Sequence, residues 1–358
     1  MNNAALNLES TTEHEFQVLW PETYHLRPIQ NLAPLYKGIS VDTSLETNPA
    51  YIKKYPQAEI YFNAAECAVW GADGNLCWQY GLNPTQLQDK YEEPSRQLGN
   101  VLLLGDSPGA HCYYHWIVDI LPKIELLRRN GIKIDEFDAI LVRELNDSFQ
   151  KETLETLGVD LSTIVETKDS PKLSCTSLTT VEIDNCINMK MHRFIPEWLK
   201  HSFSTRPDLA PERKIYVSRP KGVRRGVENE EELLPVLTDH GFEIHKMEGL
   251  SVAEQAELFS QSRVVVSAHG GALTNMVYMP SGGHVVELFG GHVYPFYYGL
   301  SQVCDLGYSA LMEDIADLPR LTSLNKALIA GNVEQQLKTR FLNFSVSVDA
   351  LAVELGNL

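Results

Sequence analysis

Residues 263–289 join two strongly apolar runs through a histidine-glycine turn, and they restrict the fold more than any other part of the chain. Their sequence is RVVVSAHGGALTNMVYMPSGGHVVELF. The β-branched run Val264–Val266 predicts a strand of a parallel sheet that is covered on both faces. His269-Gly270-Gly271 follow where that strand must turn into a short helix, and a second apolar strand carries Glu287. Such a unit brings the turn to the carboxyl edge of a sheet, where ligands of α/β proteins bind.

The glycine turn predicts a site for an anion. Gly270 and Gly271 would let a ligand approach the backbone, and the amides at a helix start favour a negative group such as a diphosphate. An ordinary tight connection between a strand and a helix has the same glycines, so the turn alone leaves both interpretations open. Glu287 is expected at the same edge, where a carboxylate can receive ribose hydroxyls. His269 could contact the ligand or only brace the turn.

Composition narrows the classes of function. The 358 residues are 44% hydrophobic, enough for a sizeable core, and this length favours two domains. The net charge of -17 argues against a nucleic-acid partner, so an anionic ligand requires a local positive site. The six scattered cysteines predict reduced thiols, with a Cys67–Cys77 bridge left open. The chain shows no signal-peptide pattern and no apolar run of roughly 18 residues, which predicts a cytoplasmic protein and allows peripheral attachment to the inner face of the membrane.

Strands and helices alternate along the chain, which predicts an α/β fold. The first half contains a hairpin at Ala65–Tyr80, strands at Asn100–Leu104 and Asp138–Val142, and helices at Cys112–Arg129, Ser148–Leu157 and Arg193–Phe203. A proline-containing linker at Ser204–Glu212 separates the halves, so domains are predicted at 1–205 and 206–358.

The second half predicts a parallel, doubly wound sheet. Its strands are expected at Lys214–Ser218, Phe242–Lys246, Arg263–Ala268 and His284–Phe289, and its helices at Glu230–His240, Ser251–Ser260 and Ala272–Tyr278. The last helix of the chain is expected either in this domain or returning to the N-terminal domain.

A basic loop follows the first strand of the second half. Its cations are Arg219, Lys221, Arg224 and Arg225. Guanidinium groups bind phosphate oxygens in bidentate fashion, so this loop is a candidate diphosphate clamp. A solvated loop balanced by the acidic residues that follow is the alternative.

The helix of the first half carries polar residues at a spacing of four. His111, His115 and Asp119 would lie on one face of it. Two imidazoles and a carboxylate could bind a divalent metal, or His115 and Asp119 could form an acid/base pair. A structural helix with a few polar residues is the third interpretation.

Four segments, in this order, resemble glycosyltransferase family 61: YYHWIVDILPKIELL, YVSRPKGVRRGVENEEEL, LSVAEQAELFSQSRVVVSAHGGALTNMVYMPSGGHVVELF and PFYYGLSQVCDLGYSAL. The similarity extends from about Asn63 to Tyr308. Bacterial members are labelled capsular polysaccharide biosynthesis proteins and are related to eukaryotic transferases of N-acetylglucosamine, xylose and arabinose. Where the family commonly has His-Gly-Ala-Gly, this chain has His269-Gly270-Gly271-Ala272.

The resemblance implies a GT-B fold, in which two Rossmann-like, doubly wound domains face an interdomain cleft. Residues 1–205 would be the acceptor-side domain, with His115 and Asp119, and residues 206–358 would bind the nucleotide sugar. The implied donor is a nucleoside diphosphate sugar such as a UDP-sugar, with no tightly bound cofactor and no required metal. The implied acceptor is a glycan or lipid-linked oligosaccharide of a capsule or lipopolysaccharide. Donor-site candidates carried over by motif are Arg219, Arg224, Arg225, Asn229, Glu230, His269, Gly270, Gly271, Thr274, Asn275 and Glu287.

The resulting hypothesis is inverting glycosyl transfer. Asp119 is favoured as the base that accepts the acceptor proton, with His115 orienting it or taking the role itself. Arg219, Arg225 and the helix that begins near Gly271 would stabilise the departing diphosphate. The competing hypotheses are a metal-dependent hydrolase that uses His111, His115 and Asp119, and a non-catalytic protein that binds nucleotide sugars or glycans.

Overall fold

The computed structural model describes residues 14–27, 44–63, 66–80, 93–106, 109–168, 171–183, 190–204, 211–220, 222–290, 295–312 and 342–358. The predicted α/β class is confirmed for these residues. They form two compact units, the first within Met1–Glu22 and Glu46–Cys186 and the second within Thr23–Leu45 and Ile187–Leu358. Lys221 and residues 205–210 of the predicted linker lie outside the described residues.

The predicted elements are present, with ends that differ by a few residues. The strands are β1 (His14–Leu19), β2 (Thr23–His25), β3 (Ser44–Glu46), β4 (Ala50–Pro56), β5 (Glu59–Asn63), β6 (Glu66–Trp70), β7 (Leu76–Tyr80), β8 (Gln97–Leu103), β9 (Ala139–Val142), β10 (Ile164–Glu166), β11 (Lys172–Glu182), β12 (Arg213–Val217), β13 (Phe242–His245), β14 (Ser262–Ala268), β15 (His284–Phe289) and β16 (Gly307–Met312). The helices are α1 (113–129), α2 (Ser148–Thr156), α3 (Phe194–Phe203), α4 (Glu230–Asp239), α5 (Val252–Ser260), α6 (Phe296–Val303) and α7 (Val348–Gly356), with 3₁₀ helices at Ile134–Glu136, Leu161–Thr163 and Gly271–Tyr278. No described helix is long and apolar enough to cross a membrane.

The first unit has a mixed sheet, which corrects the prediction of a doubly wound sheet in this half. The strand order is β10-β9-β8-β11-β5-β6-β7, and β4 joins β11 and β1. Strands β8 to β11 are mutually parallel, whereas β5, β6 and β7 pair antiparallel. The connections between β5, β6 and β7 are too short for the crossover that a parallel pair requires. The hairpin at Asp73-Gly74 is confirmed, and Cys67 and Cys77 within it are free thiols.

The parallel part of this sheet reverses its strand order beside β8. Strands β9 and β10 follow on one side of β8, and β11 returns to its other side. In sheets of this kind a crevice opens at the reversal, beyond the carboxyl ends of the strands. The loop at 104–106 and helix α1 follow β8 at that edge.

Helix α1 changes its hydrogen bonding midway. Tyr113–His115 and Leu121–Arg129 are α-helical, and Trp116–Ile120 between them is π-helical. Pro122 has no amide hydrogen to donate to the carbonyl four residues earlier. The Leu121 amide donates to the Trp116 carbonyl, five residues earlier, which is the π-helical pattern. Single π turns are often found at functional sites. This one lies in the segment with the predicted acid/base residues.

The second unit is built on a parallel sheet, as predicted. Its five strands lie in the order β13-β12-β14-β15-β16. Strand β13 lies on one side of β12, and β14 lies on the other side of β12. The strand order therefore reverses between β12 and β14. Ser251 and Glu254 form a capping box at the start of α5.

The C-terminal segment, residues 342–358, groups with the second unit. Leu351 and Leu355 of α7 share one buried cluster with Leu233 and Leu237 of α4. Helix α3 is also in the second unit, where Phe203 contacts the ring of Tyr278. The compact units therefore divide before α3, whereas the sequence predicted a boundary near residue 205.

Candidate functional site

The carboxyl edge of the second sheet brings together residues from both sides of the strand reversal. Ser218 and Arg219 follow β12, and His269 and Gly270 follow its neighbour β14. Arg219 Nη1 donates a hydrogen bond to the His269 carbonyl over 3.1 Å. This bond links the loops that follow β12 and β14, the two strands between which the strand order reverses. A half-buried guanidinium group thus lies where ligands of such sheets bind.

His269 is braced on several sides within this edge. Its Nδ1 lies 2.5 Å from Glu287 Oε1, and the Tyr308 hydroxyl donates to Glu287 Oε2 over 2.5 Å. The imidazole stacks on Phe289 and contacts Tyr297 edge to face, with 5.3 Å between centroids in both pairs. Side-chain exposure is 6% for His269 and 0% for Glu287. Both oxygens of Glu287 therefore bond to protein groups, which differs from the expected contact with ribose hydroxyls.

Arg225 acts electrostatically on the same cluster. Burial raises the pKa of Glu287 well above its ordinary value, while the Tyr308 hydrogen bond and the charge of Arg225 act in the opposite direction. Burial lowers the pKa of Arg219, and the neighbouring charge of Arg225 lowers it further. Two guanidinium groups are thus close enough to repel each other. A bound anion would relieve that repulsion and favour the charged form of both.

The guanidinium group of Arg219 approaches the glycine turn closely. A Cβ added to Gly270 would lie 2.8 Å from Arg219 Nη1. The Gly270 φ of 171° is extended backbone that any residue adopts, so conformation does not require glycine there. Gly271 begins the predicted short helix, which is a 3₁₀ helix of eight residues. Its first amides still lie at the edge expected for an anion.

The remaining donor candidates mostly contact other protein groups. Glu230 accepts hydrogen bonds from the Tyr216 hydroxyl at 2.8 Å and from Ser218 Oγ at 3.1 Å. It thereby holds the end of β12 to the start of α4. Asn229 Nδ2 donates to the Val346 carbonyl at 2.9 Å, and its Oδ1 accepts from the Val346 amide at 3.0 Å. Asn229 therefore connects the loop to the C-terminal segment.

Thr274 and Asn275 are buried in the 3₁₀ helix, and Arg224 is exposed. Asn275 Nδ2 donates to Gln255 Oε1 on α5 at 2.7 Å. This bond connects the 3₁₀ helix to α5.

The first unit brings His115 and Asp119 together, as their spacing predicts. His115 Nδ1 lies 2.6 Å from Asp119 Oδ2. The Asp119 side chain is 4% exposed and that of His115 is 17% exposed. No hydrogen bond to His115 Nε2 is found among the residues described. The carboxylate therefore lies against Nδ1, and Nε2 is the ring nitrogen that it leaves unengaged.

Gly109 makes room for this histidine. A Cβ at this position would lie 2.1 Å from His115 Cδ2. The adjoining turn is fastened to α2, because Gln150 Nε2 donates to the Ala110 carbonyl at 3.4 Å. Trp116 Nε1 likewise donates to Thr153 Oγ1 of α2 at 2.9 Å. The orientation of His115 thus depends on side chains well separated from it in sequence.

An ion pair that was not predicted lies beside His115 and Asp119. Lys123 Nζ donates to Asp106 Oδ1, and both side chains are largely buried. Burial raises the pKa of Asp106, Lys123 opposes this shift, and the Asp119 carboxylate adds to it. The four-residue spacing of His115 and Asp119 continues to Lys123, which was an available signal. The only sequence signal for Asp106 is that it is a polar residue that follows a buried strand.

His111 does not share the helical face expected for it. It is exposed in a turn that precedes Tyr113, the first residue of α1. Within the described ranges, no group of three or more His, Cys, Asp or Glu side chains is placed to hold a metal ion. The three-ligand arrangement proposed from spacing is therefore not formed by these residues.

Comparison with known proteins gives a family match for the central part of the chain. The family model described as Glycosyltransferase 61 matches residues 113–286. No curated protein matches the chain. The matched range contains the His115–Asp119 pair of the first unit together with Arg219, Arg225 and His269 of the second. Residues 113–286 of the chain therefore match glycosyltransferase family 61, the family that its sequence motifs resemble.

Proposed function

We propose that the protein is an inverting glycosyltransferase of GT-B type that moves a sugar from a nucleoside diphosphate sugar to a glycan hydroxyl. The family match supports glycosyl transfer in general. The observation that carries the finer proposal is the placement of Arg219 and Arg225 together at the strand reversal of a parallel sheet. Such an edge is the usual binding place for the phosphates of a nucleotide.

The two arginines would stabilise the leaving diphosphate. Guanidinium groups bind phosphate oxygens through paired hydrogen bonds, and they remain charged when partly buried. The bond from Arg219 to the His269 carbonyl orients one of them before a ligand arrives. Such preorganisation lowers the cost of stabilising charge that develops in the transition state.

His115 is better placed than Asp119 to be the base, which reverses the roles favoured from sequence. A carboxylate at Nδ1 favours the tautomer with its proton there and leaves Nε2 free to accept a proton. The greater exposure of His115 supports this assignment. Asp119 would then act as a positioning residue that orients the ring and stabilises its protonated form.

The proposed step is a single displacement at the anomeric carbon. The acceptor oxygen forms a bond to this carbon as its proton moves to His115 Nε2. The bond from the carbon to the diphosphate oxygen breaks, and its electron pair leaves with the diphosphate. Since attack occurs opposite the leaving group, the anomeric configuration inverts.

The test is transfer from a panel of nucleotide sugars to glycan acceptors, with the product anomer read by nuclear magnetic resonance. A UDP-sugar and a glycan or lipid-linked oligosaccharide are the first substrates to try. We expect an inverted linkage from one donor class. A retained linkage would overturn the displacement step, and binding of a nucleotide sugar without transfer to any acceptor would favour a binding protein.

Chelator treatment addresses the metal-dependent hydrolase. The proposed transferase requires no metal at the His115–Asp119 pair, so activity should survive EDTA. Loss of activity in EDTA and recovery with zinc or manganese would instead support a metal site.

The protein is also proposed to act at the inner face of the membrane, where its acceptors would be precursors of capsule or lipopolysaccharide.

A further inference from the structure

The C-terminal segment packs along the basic loop that follows β12. Asn343 Oδ1 accepts a hydrogen bond from the Gly226 amide at 2.9 Å. The Phe344 amide donates to the Gly226 carbonyl at 3.1 Å, and its carbonyl accepts from the Glu228 amide at 2.8 Å. Val227 and Phe344 form a parallel bridge. The segment thus adds a short extended stretch of backbone to the loop.

The bond from Asn343 acts beside a strained residue. Arg225 has a φ of 60°, in the left-handed region that is unfavourable for a residue with a side chain. A residue stays in this conformation only where its surroundings impose it. The Gly226 amide belongs to the peptide bond that directly follows Arg225. Its bond to Asn343 therefore helps to hold the backbone from which the guanidinium group projects.

Phe344 connects the same segment to the other side of the anion edge. Its side chain is buried, and a Cβ added to Gly290 would lie 2.7 Å from Phe344 Cβ. Gly290 follows β15, the strand that carries Glu287 and Phe289. The segment therefore contacts both the loop with Arg225 and the strand that braces His269.

We propose that Asn343 is a positioning residue for Arg225, holding the loop in the backbone conformation that presents this guanidinium group to the donor diphosphate. The inference rests on the proposed function, because the diphosphate contact of Arg225 is part of that proposal. Asn343 lies outside residues 113–286, which match the family. It extends the donor site to a part of the chain that makes no direct contact with the ligand.

Calorimetric titration of the full chain with UDP, and with GDP as a second probe, tests this role. Asn343→Ala should weaken diphosphate binding by about three- to tenfold, the effect of one lost hydrogen bond. Asn343→Asp keeps an acceptor oxygen for the Gly226 amide and should restore much of the affinity. Asn357→Ala is a matched control, since Asn357 is an exposed asparagine at the end of α7, and it should bind like the wild type.

Two readouts separate positioning from a general loss of stability. Hydrogen exchange at the Gly226 amide should accelerate in Asn343→Ala and slow again in Asn343→Asp. In a double-mutant cycle, Asn343→Ala should add little to Arg225→Ala, because its effect passes through that arginine. Affinity for uridine, which has no phosphate, should stay unchanged in all variants.

The outcomes distinguish this inference from the function on which it rests. If the wild type binds nucleoside diphosphates and Arg225→Ala weakens binding, but Asn343→Ala has no effect or an additive one, the positioning role is wrong and the donor site stands. If the wild type binds neither UDP nor GDP, the proposed donor site fails and the role of Asn343 fails with it.

Discussion

Each unit of the protein holds a histidine whose Nδ1 lies against a carboxylate, yet the surroundings of the two pairs differ. His115 and Asp119 are 2.6 Å apart, and the imidazole is 17% exposed. His269 and Glu287 are 2.5 Å apart, and the imidazole is 6% exposed between two aromatic rings. Tyr308 also donates to Glu287, whereas Asp119 lies near the Asp106–Lys123 pair.

The comparison shows that one hydrogen bond can serve two purposes. At His115 the carboxylate orients a partly exposed ring and bonds only to Nδ1, which leaves Nε2 for the proposed role of general base. At His269 the same bond fixes a buried ring, and the backbone carbonyl of this residue then holds Arg219. The first pair suits proton transfer, and the second suits the support of a binding site. Variants of each pair should therefore alter different measured quantities.

The largest expected effect is on turnover in His115→Ala. Removal of the base should lower kcat by about 1,000-fold, because a positioned base contributes roughly 100- to 10,000-fold. Affinity for the donor nucleotide should be unchanged by calorimetry. His111→Ala is the matched control, since this exposed histidine lies outside α1 and should retain full turnover. Near-normal turnover of His115→Ala would remove it from the role of base.

Asp119→Asn should have the next largest effect. The amide keeps the size of the carboxylate but neither fixes the Nδ1 proton nor stabilises the protonated ring, so we expect kcat to fall by about 100-fold. Removing the charge of Asp119 beside the proposed base should also change the pH dependence of the rate. Complete loss of turnover in Asp119→Asn, together with substantial turnover in His115→Ala, would instead indicate that Asp119 is the base.

Arg225→Ala should weaken nucleoside diphosphate binding by about tenfold, the effect of lost charge-assisted hydrogen bonds. Arg224→Ala offers a control, because this neighbouring arginine is exposed. The difference in nucleoside diphosphate affinity between the two variants should decrease at high salt, because salt screens the interaction between charges. Equal losses in both would assign the effect to overall loop charge.

The smallest effect is expected in the pH dependence of stability in Glu287→Gln. Burial raises the pKa of Glu287, so the folded protein holds a proton that the unfolded chain releases above about pH 4.5. The stabilisation is complete below that pH and declines as the pH rises towards the folded pKa, by at most about 1.4 kcal/mol per pH unit. Chemical denaturation at several pH values should show a shallower slope in the variant. An unchanged slope would show that Glu287 ionises normally.

Local patterns predicted much of this protein correctly. The alternation of apolar runs and the hairpin within Ala65–Tyr80 depend only on nearby residues, and both are confirmed. Apart from the β6–β7 hairpin, the antiparallel pairings of the first sheet were missed, because β4, β5 and β11 pair across long stretches of chain. Tyr308 and Asn343 were missed for the same reason, since no local pattern marks their partners.

The sequence by itself determined the α/β class, the strand-turn-helix unit around His269, the four-residue spacing of His115 and Asp119, and the resemblance to the family later matched by residues 113–286. These properties follow from periodicity and spacing, which act over a few residues. Only the tertiary structure decided that Glu287 bonds to His269 and Tyr308, that Asn229 faces Val346, and that Arg219 bridges β12 and β14. Those roles depend on burial and on which strands are neighbours, and both arise only when the sheet is assembled.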